Sequence, residues 1–107
     1  MKPTGDELFY TYKTGTLTII GFDGQHLMDR DPERYQDALL SMLQRHMCEI
    51  LVVDLMDVPM VQSWVLGVLI GIHKRGVRVE LYHPTLTMQE VLDRTNLNKM
   101  LHVRDGL

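Results

Sequence analysis

Between residues 50 and 76 the hydrophobic pattern changes period twice. Residues 50–55 are a continuous apolar run rich in branched side chains and interrupted only by Asp54, the pattern of a strand buried on both faces. Asp57, Val58 and Pro59 then break it with a turn. Residues 64–72 are apolar all round, so periodicity cannot assign them, but their ends can. Ser63 stands in front as an N-cap, while His73, Lys74, Arg75 and Gly76 supply a cationic last turn and a residue suited to left-handed backbone. The ends predict a helix over residues 64–75, buried against a sheet, with Gly67 and Gly71 one turn apart and letting its backbone approach that sheet. Residues 77–82 alternate as VRVELY, which completes a strand, helix, strand unit of parallel crossover type.

The same reasoning extends outward. Residues 7–12 (ELFYTY) and 16–22 (TLTIIGF) read as strands around Lys13, Thr14 and Gly15, hence a hairpin. Residues 26–30 carry no assignable pattern. Asp31 followed by Pro32 is a strong helix start, and Tyr35, Ala38, Leu39, Met42 and Leu43 form one apolar stripe ending near His46. Arg34, Asp37, Ser41 and Arg45 occupy the opposite side. Met42 and Met47 read as core filling, whereas Met56 and Met60, flanking Pro59, fit a core and an adaptable surface equally. A third helix is predicted from Thr87 with Glu90 as a capping box and Leu86 with Val91 at staple spacing. Thr95 and Asn96 end it with a left-handed cap, Leu97 folds back as the contact after it, and residues 100–103 add or cover a short edge strand.

This order predicts an α/β fold, a mixed sheet of four to five strands with helices mainly on one face, because a hairpin brings antiparallel pairing and crossovers bring parallel pairing. Such a sheet leaves an edge and a helix face to a partner, a second copy of the chain included. The loop before Ser63 falls at the carboxyl end of a parallel strand, where sites of this architecture collect. A phosphate on Ser63 would lie beside the unpaired N–H groups of a first helical turn.

Composition narrows the function. With 107 residues the chain reads as one domain, 1–107, with one core. A formal charge of -3 gives no basic footprint for nucleic acid. The histidines at 26, 46, 73, 83 and 102 are too scattered for metal-ligand spacing and read as surface or edge groups. Cys48 is the sole cysteine, read as a small buried thiol in a reducing compartment. The first fifteen residues hold no apolar signal core, and no stretch is apolar enough to insert in a membrane, so a cytoplasmic chain is expected. No glycine-rich phosphate loop is present and Ser63 has no sequence-adjacent base, so neither a cofactor nor an enzyme activity is expected.

Three stretches resemble the STAS domain, the anti-sigma factor antagonist family: ILVVDLMDVPMVQS, SWVLGVLIG and VLDRTNLNKMLHV. The resemblance covers residues 16–103. Around the family's phosphorylatable serine the usual pattern is roughly Asp-Ser-Ser-Gly-Leu-Gly, where this chain has Gln62, Ser63, Trp64, Val65, Leu66 and Gly67. Gln62 replaces an acidic residue, and Trp64 and Val65 replace small ones. Asn96 stands where the late motif has glycine. The resemblance implies a non-enzymatic regulatory module that binds a serine kinase or anti-sigma factor and is controlled by phosphorylation of Ser63. It also implies that Met60, Val61, Gln62, Ser63, Trp64 and Leu66 form the partner surface. Two alternatives stay open. Ser63 fits a phosphoacceptor and a plain cap, and Trp64 fits a partner anchor and a core residue. The competing function is a non-phosphorylated structural subunit of a larger signalling or transport assembly.

Overall fold

The computed structural model describes residues 4–5, 8–23, 31–58 and 60–106. Strands β2 (Tyr10–Lys13) and β3 (Leu17–Gly21) form the expected hairpin, antiparallel with Tyr10 opposite Gly21. The first strand starts later than its aromatic pattern suggests, since Leu8 and Phe9 precede it as buried core residues, Phe9 meeting Phe22 edge-on at 6.3 Å. β1 (Thr4–Gly5) adds a two-residue pairing outside β2.

From β3 onward each strand is followed by a helix and a parallel neighbour: α1 (Pro32–Arg45), β4 (Ile50–Asp54), α2 (Ser63–Lys74), β5 (Arg78–Tyr82), α3 (Leu86–Arg94) and β6 (Leu101–Arg104). The sheet therefore runs in sequence order, β1-β2-β3-β4-β5-β6, a mixed sheet whose last four strands are parallel. Three crossovers step the same way along the sheet, and crossovers that share the usual right hand put all their helices on one face. One core cluster accordingly joins Leu39 of α1, Leu69 of α2 and Met88 of α3 to Ile20, Leu51, Val53, Val79 and Leu81 of the sheet. The alternate strand residues look the other way, in register rows such as Ile19, Val52, Glu80 and His102.

Local chemistry explains the helix ends. Asp31 caps α1 by accepting from the Arg34 amide at 3.2 Å, with Pro32 in the first turn. The stripe of Tyr35, Leu39, Met42 and Leu43 is buried as read. Met47 is not core filling: α1 ends at His46, Met47 turns to φ 51°, and its side chain is 79% exposed. The stripe argument fails there because the helical phase that carries it has stopped. Gly76 follows α2 with φ 95°, the left-handed residue expected. Gly67 and Gly71 do not bring α2 onto the sheet. Gly67 is exposed with nothing near its missing Cβ, and Gly71 makes room for the Gln36 side chain of α1. The α3 cap is Thr85, whose hydroxyl accepts from the Met88 amide at 3.1 Å, and not Thr87, because the helix starts two residues earlier than the Thr87 and Glu90 pairing implies.

Asn96 adopts φ 60° and ψ 17°, and Leu97 packs back on the core before β6. A β-branched side chain there meets the left-handed penalty of about 1–2 kcal/mol. Asn96→Val is expected to lose that much in denaturant unfolding while Asn96→Gly loses nothing. Equal midpoints for the two variants would contradict the left-handed turn.

Candidate functional site

β4 delivers Asp54 to the carboxyl edge of the sheet, and the chain turns there at once. The Asp54 carboxylate accepts from the Met56 amide at 3.0 Å, the Val58 amide bonds the Leu55 carbonyl at 3.0 Å, and the Leu55 amide reaches Tyr82 O at 2.8 Å. The same Oδ1 of Asp54 lies 3.1 Å from Nδ1 of His83. Asp54 is the register partner of Tyr82, so His83 arrives one step past the end of β5, with φ 61° and its ring 3.7 Å from that of Tyr82. This pair joins residues far apart in sequence, and only the parallel register reveals it.

The loop from β4 to α2 sorts its side chains by burial. Val58 and Val61 are in the core, Met56 and Met60 are more than half exposed, and Pro59 lies outside the described residues. Apolar anchors thus pin the loop from beneath while its methionines face solvent. Met56 and Met60 take the surface alternative.

Ser63 is the first residue of α2 and not its cap. Gln62 holds that position with φ -71° and ψ 154°, makes no side-chain capping bond, and accepts on its backbone oxygen from the amides of Val65 and Leu66. Its side-chain oxygen instead accepts from Nε1 of Trp64 at 2.8 Å. The serine misled because its capping propensity is real, while the helix start is set by how Val61 and Val65 enter the core. Ser63 is exposed, and no described side chain hydrogen-bonds its hydroxyl. Trp64 is half-buried, its ring edge-on to Tyr35 at 5.0 Å, so much of it serves packing between α2 and α1. Leu66 and Val61 are buried at 7% and 6% exposure. Of the residues named for a partner surface, Met60, Gln62, Ser63 and part of Trp64 stand at the surface, and Val61 and Leu66 support them from inside.

No acidic residue lies in the first turn of α2, and its unpaired amides make a positive pole. Carboxylates of the neighbouring strands and loop act on two tyrosines of β2. The Tyr10 hydroxyl donates to Asp23 at 2.6 Å, and this bond holds the phenol above its ordinary range, with burial and Coulomb effects adding. Tyr12 is raised chiefly by burial and further by the charges of Asp54, Asp57 and Asp23. Its ring lies over Gly21, where a Cβ would stand 2.8 Å from it. The edge therefore combines an exposed hydroxyl on a helix pole with an acidic rim.

Among the described residues no group of three or more His, Cys, Asp or Glu could hold a metal ion, and no helix is long and apolar enough to cross a membrane. Cys48 is half-buried and donates to the Ile50 carbonyl at 3.2 Å. The histidines are less uniform than their scatter suggests: His83 pairs with Asp54, and His73 has a buried ring nitrogen.

Neither a family model nor a curated protein matches the chain by sequence. Its fold does match solved structures. The protein TM1081 superposes with a TM-score of 0.76 at 18% identity, covering 99% of this chain and 87% of its own. The anti-sigma factor antagonist SpoIIAA in its unphosphorylated form gives 0.69 at 13% identity, over 92% of this chain and 89% of its own. The phosphorylated form of SpoIIAA, a Bacillus cell fate determinant, gives 0.60 at 16% identity, over 92% of each chain. The fold is that of a STAS-like domain.

Proposed function

We propose that this STAS-like domain is a non-enzymatic regulatory module that binds a signalling protein, in the first place a serine kinase acting as anti-sigma factor. Contact is made by Met60, Gln62, Ser63 and the outer part of Trp64, and phosphorylation of Ser63 ends it. One observation carries this reading: the Ser63 hydroxyl is exposed at the first residue of α2, on the carboxyl edge of the sheet and free of side-chain partners among the described residues. The similarity to SpoIIAA, solved both with and without phosphate, supports the same direction.

The energetics are consistent. A phosphoserine adds up to about two negative charges, which the amides of the first helical turn tolerate within the chain. Across an interface arranged around a neutral hydroxyl, the same charge loses its solvation or meets a like charge, at a cost of several kcal/mol. The domain thereby stays folded while its partner leaves.

A second reading is favoured by the Trp64 to Gln62 hydrogen bond and the Trp64 contact with Tyr35, which tie the residues on either side of Ser63 into the packing of the domain. Under it the domain is a structural subunit of a larger assembly and Ser63 is simply a first-turn residue. Pull-downs from host lysate with wild type, Ser63→Ala and Ser63→Glu separate the two. The switch predicts that Ser63→Glu binds at least about tenfold more weakly, some 1.4 kcal/mol, while Ser63→Ala binds like wild type. Equal capture by all three baits, with no phosphate on Ser63 in cells, selects the structural subunit.

A further inference from the structure

Methionine is unevenly placed among the described residues. Met42 and Met88 are 6% and 2% exposed within the core cluster, whereas Met56 and Met60, in the loop of residues 55–62 between β4 and α2, are 64% and 56% exposed. That loop does not depend on its methionines for its shape. The Asp54 carboxylate accepts from the Met56 amide at 3.0 Å, the Leu55 carbonyl accepts from the Val58 amide at 3.0 Å, and Val58 and Val61 are buried. The fold therefore leaves two long apolar side chains in water at the edge that carries Ser63. An unbranched, polarisable side chain in that position suits an adaptable contact, and its sulfur is open to oxidants.

Hydrogen peroxide is the co-reactant. A lone pair on Sδ attacks one peroxide oxygen and the O–O bond breaks. That oxygen stays on sulfur as a sulfoxide, and its proton joins the departing hydroxide as water. Sulfur gives up two electrons and peroxide takes them. An apolar side chain thereby becomes a polar one. In water the sulfoxide oxygen is solvated, so the loop keeps its place on Val58 and Val61. Against an apolar partner surface the same oxygen loses its solvation with no donor to replace it. Sulfoxide reductases return the thioether, one enzyme for each epimer, so the change is reversible. Met47 supplies an internal control: it is as accessible as the loop pair, but it stands between α1 and the start of β4, at the end of the sheet opposite Ser63.

We propose that Met56 and Met60 form a reversible oxidation site through which peroxide releases the partner held at Ser63, a second input to the surface that phosphorylation controls; this rests on the regulatory reading of that surface. Baits of wild type, Met47→Leu, Ser63→Glu and the double variant Met56→Leu with Met60→Leu are treated with dilute peroxide and quenched with catalase. Dithiothreitol then reverses sulfenic or disulfide forms of Cys48 and leaves sulfoxides in place. Sulfoxide is located by peptide mass spectrometry, folding is followed by the unfolding midpoint, and capture from host lysate is scored only for the kinase that transfers phosphate to Ser63. Met47, Met56 and Met60 are expected to oxidise well before Met42 and Met88 with the midpoint unchanged. Treated wild type and treated Met47→Leu are each expected to capture the kinase about tenfold less well than untreated bait and to recover with sulfoxide reductases. In the double variant, leucine keeps the apolar volume without the sulfur, so treated and untreated baits should capture alike. If that variant binds too weakly to score, recovery of Met47→Leu by the reductases decides. The proposal is overturned if the loop pair oxidises no faster than Met42 and Met88, if oxidised wild type captures as before, if reductases restore nothing, or if the double variant loses capture in the same proportion. Capture that Ser63→Glu abolishes and peroxide leaves intact sinks this inference alone, and no capture of such a kinase by untreated wild type sinks it together with the regulatory reading.

Discussion

Replacing Leu69 by alanine is expected to lower the stability of the domain by about 3 kcal/mol, the largest effect of any single substitution proposed for this chain. Leu69 is 1% exposed and belongs to the cluster that holds α2 against α1 and the sheet. Alanine is the better helix former, so the loss cannot come from local propensity and reports packing alone. Removing its outer carbons forfeits their transfer energy and leaves a cavity that rigid neighbours close only in part. For a chain of this size the melting temperature should fall by roughly 15 °C. Denaturant unfolding is the direct measurement: the midpoint should drop while the slope against denaturant stays constant. A loss below about 1 kcal/mol would mean that α2 does not pack as described. The result also bears on function, because α2 presents Ser63 from its first turn.

Glu80→Gln is the second large effect, and it depends on pH. Glu80 lies on the helix-free face of the sheet at 9% exposure, bound by Arg78 Nε from its own strand and by Arg104 Nη1 from β6. Burial pushes its carboxyl upward, but the hydrogen bonds and charges of Arg78 and Arg104 outweigh burial and hold it below the usual value of 4.5. A carboxyl with a depressed folded value contributes stability that is present above the unfolded value and is lost as pH falls through the folded one. Glu80→Gln keeps the size and removes the charge. Arg78 is half exposed and Arg104 a quarter, so the loss at neutral pH lies between that of a surface pair and a buried one, about 2 kcal/mol. The difference between wild type and variant should shrink as pH is lowered below about 4.5 and vanish once Glu80 is protonated. A difference that stays constant from neutral pH down to about pH 2 would show that the two arginines contribute nothing through charge.

Much of this was legible in the chain. Asp31 with Pro32 and the stripe from Tyr35 to Leu43 specify α1 locally, since cap, first-turn proline and apolar period agree. The apolar run of β4 reads as a strand covered on both faces, and Leu51, Val52 and Val53 are all buried. Asn96 takes its left-handed turn because few residues tolerate it. Where two local signals competed, the wrong one could win. Ser63 and Thr87 are good capping residues, yet Gln62 and Thr85 hold the caps, because packing sets where a helix begins and propensity only favours a residue once it is there.

The site divides in the same way. The amino-acid sequence by itself determined the order of the main elements from β2 to β6, the position of Ser63 at the carboxyl end of a strand and the apolar helix behind it, since each depends on residues within a turn or two of one another. Which loop residues face outward was decided by tertiary structure: Val61 and Leu66 turn into the core and Met60, Gln62 and Ser63 do not, although all five lie in one short stretch. So were the pairings of Asp54 with His83, Trp64 with Tyr35 and Glu80 with Arg104. Each joins residues from different elements, and their meeting depends on strand register and helix packing, which arise when the whole sheet closes its core.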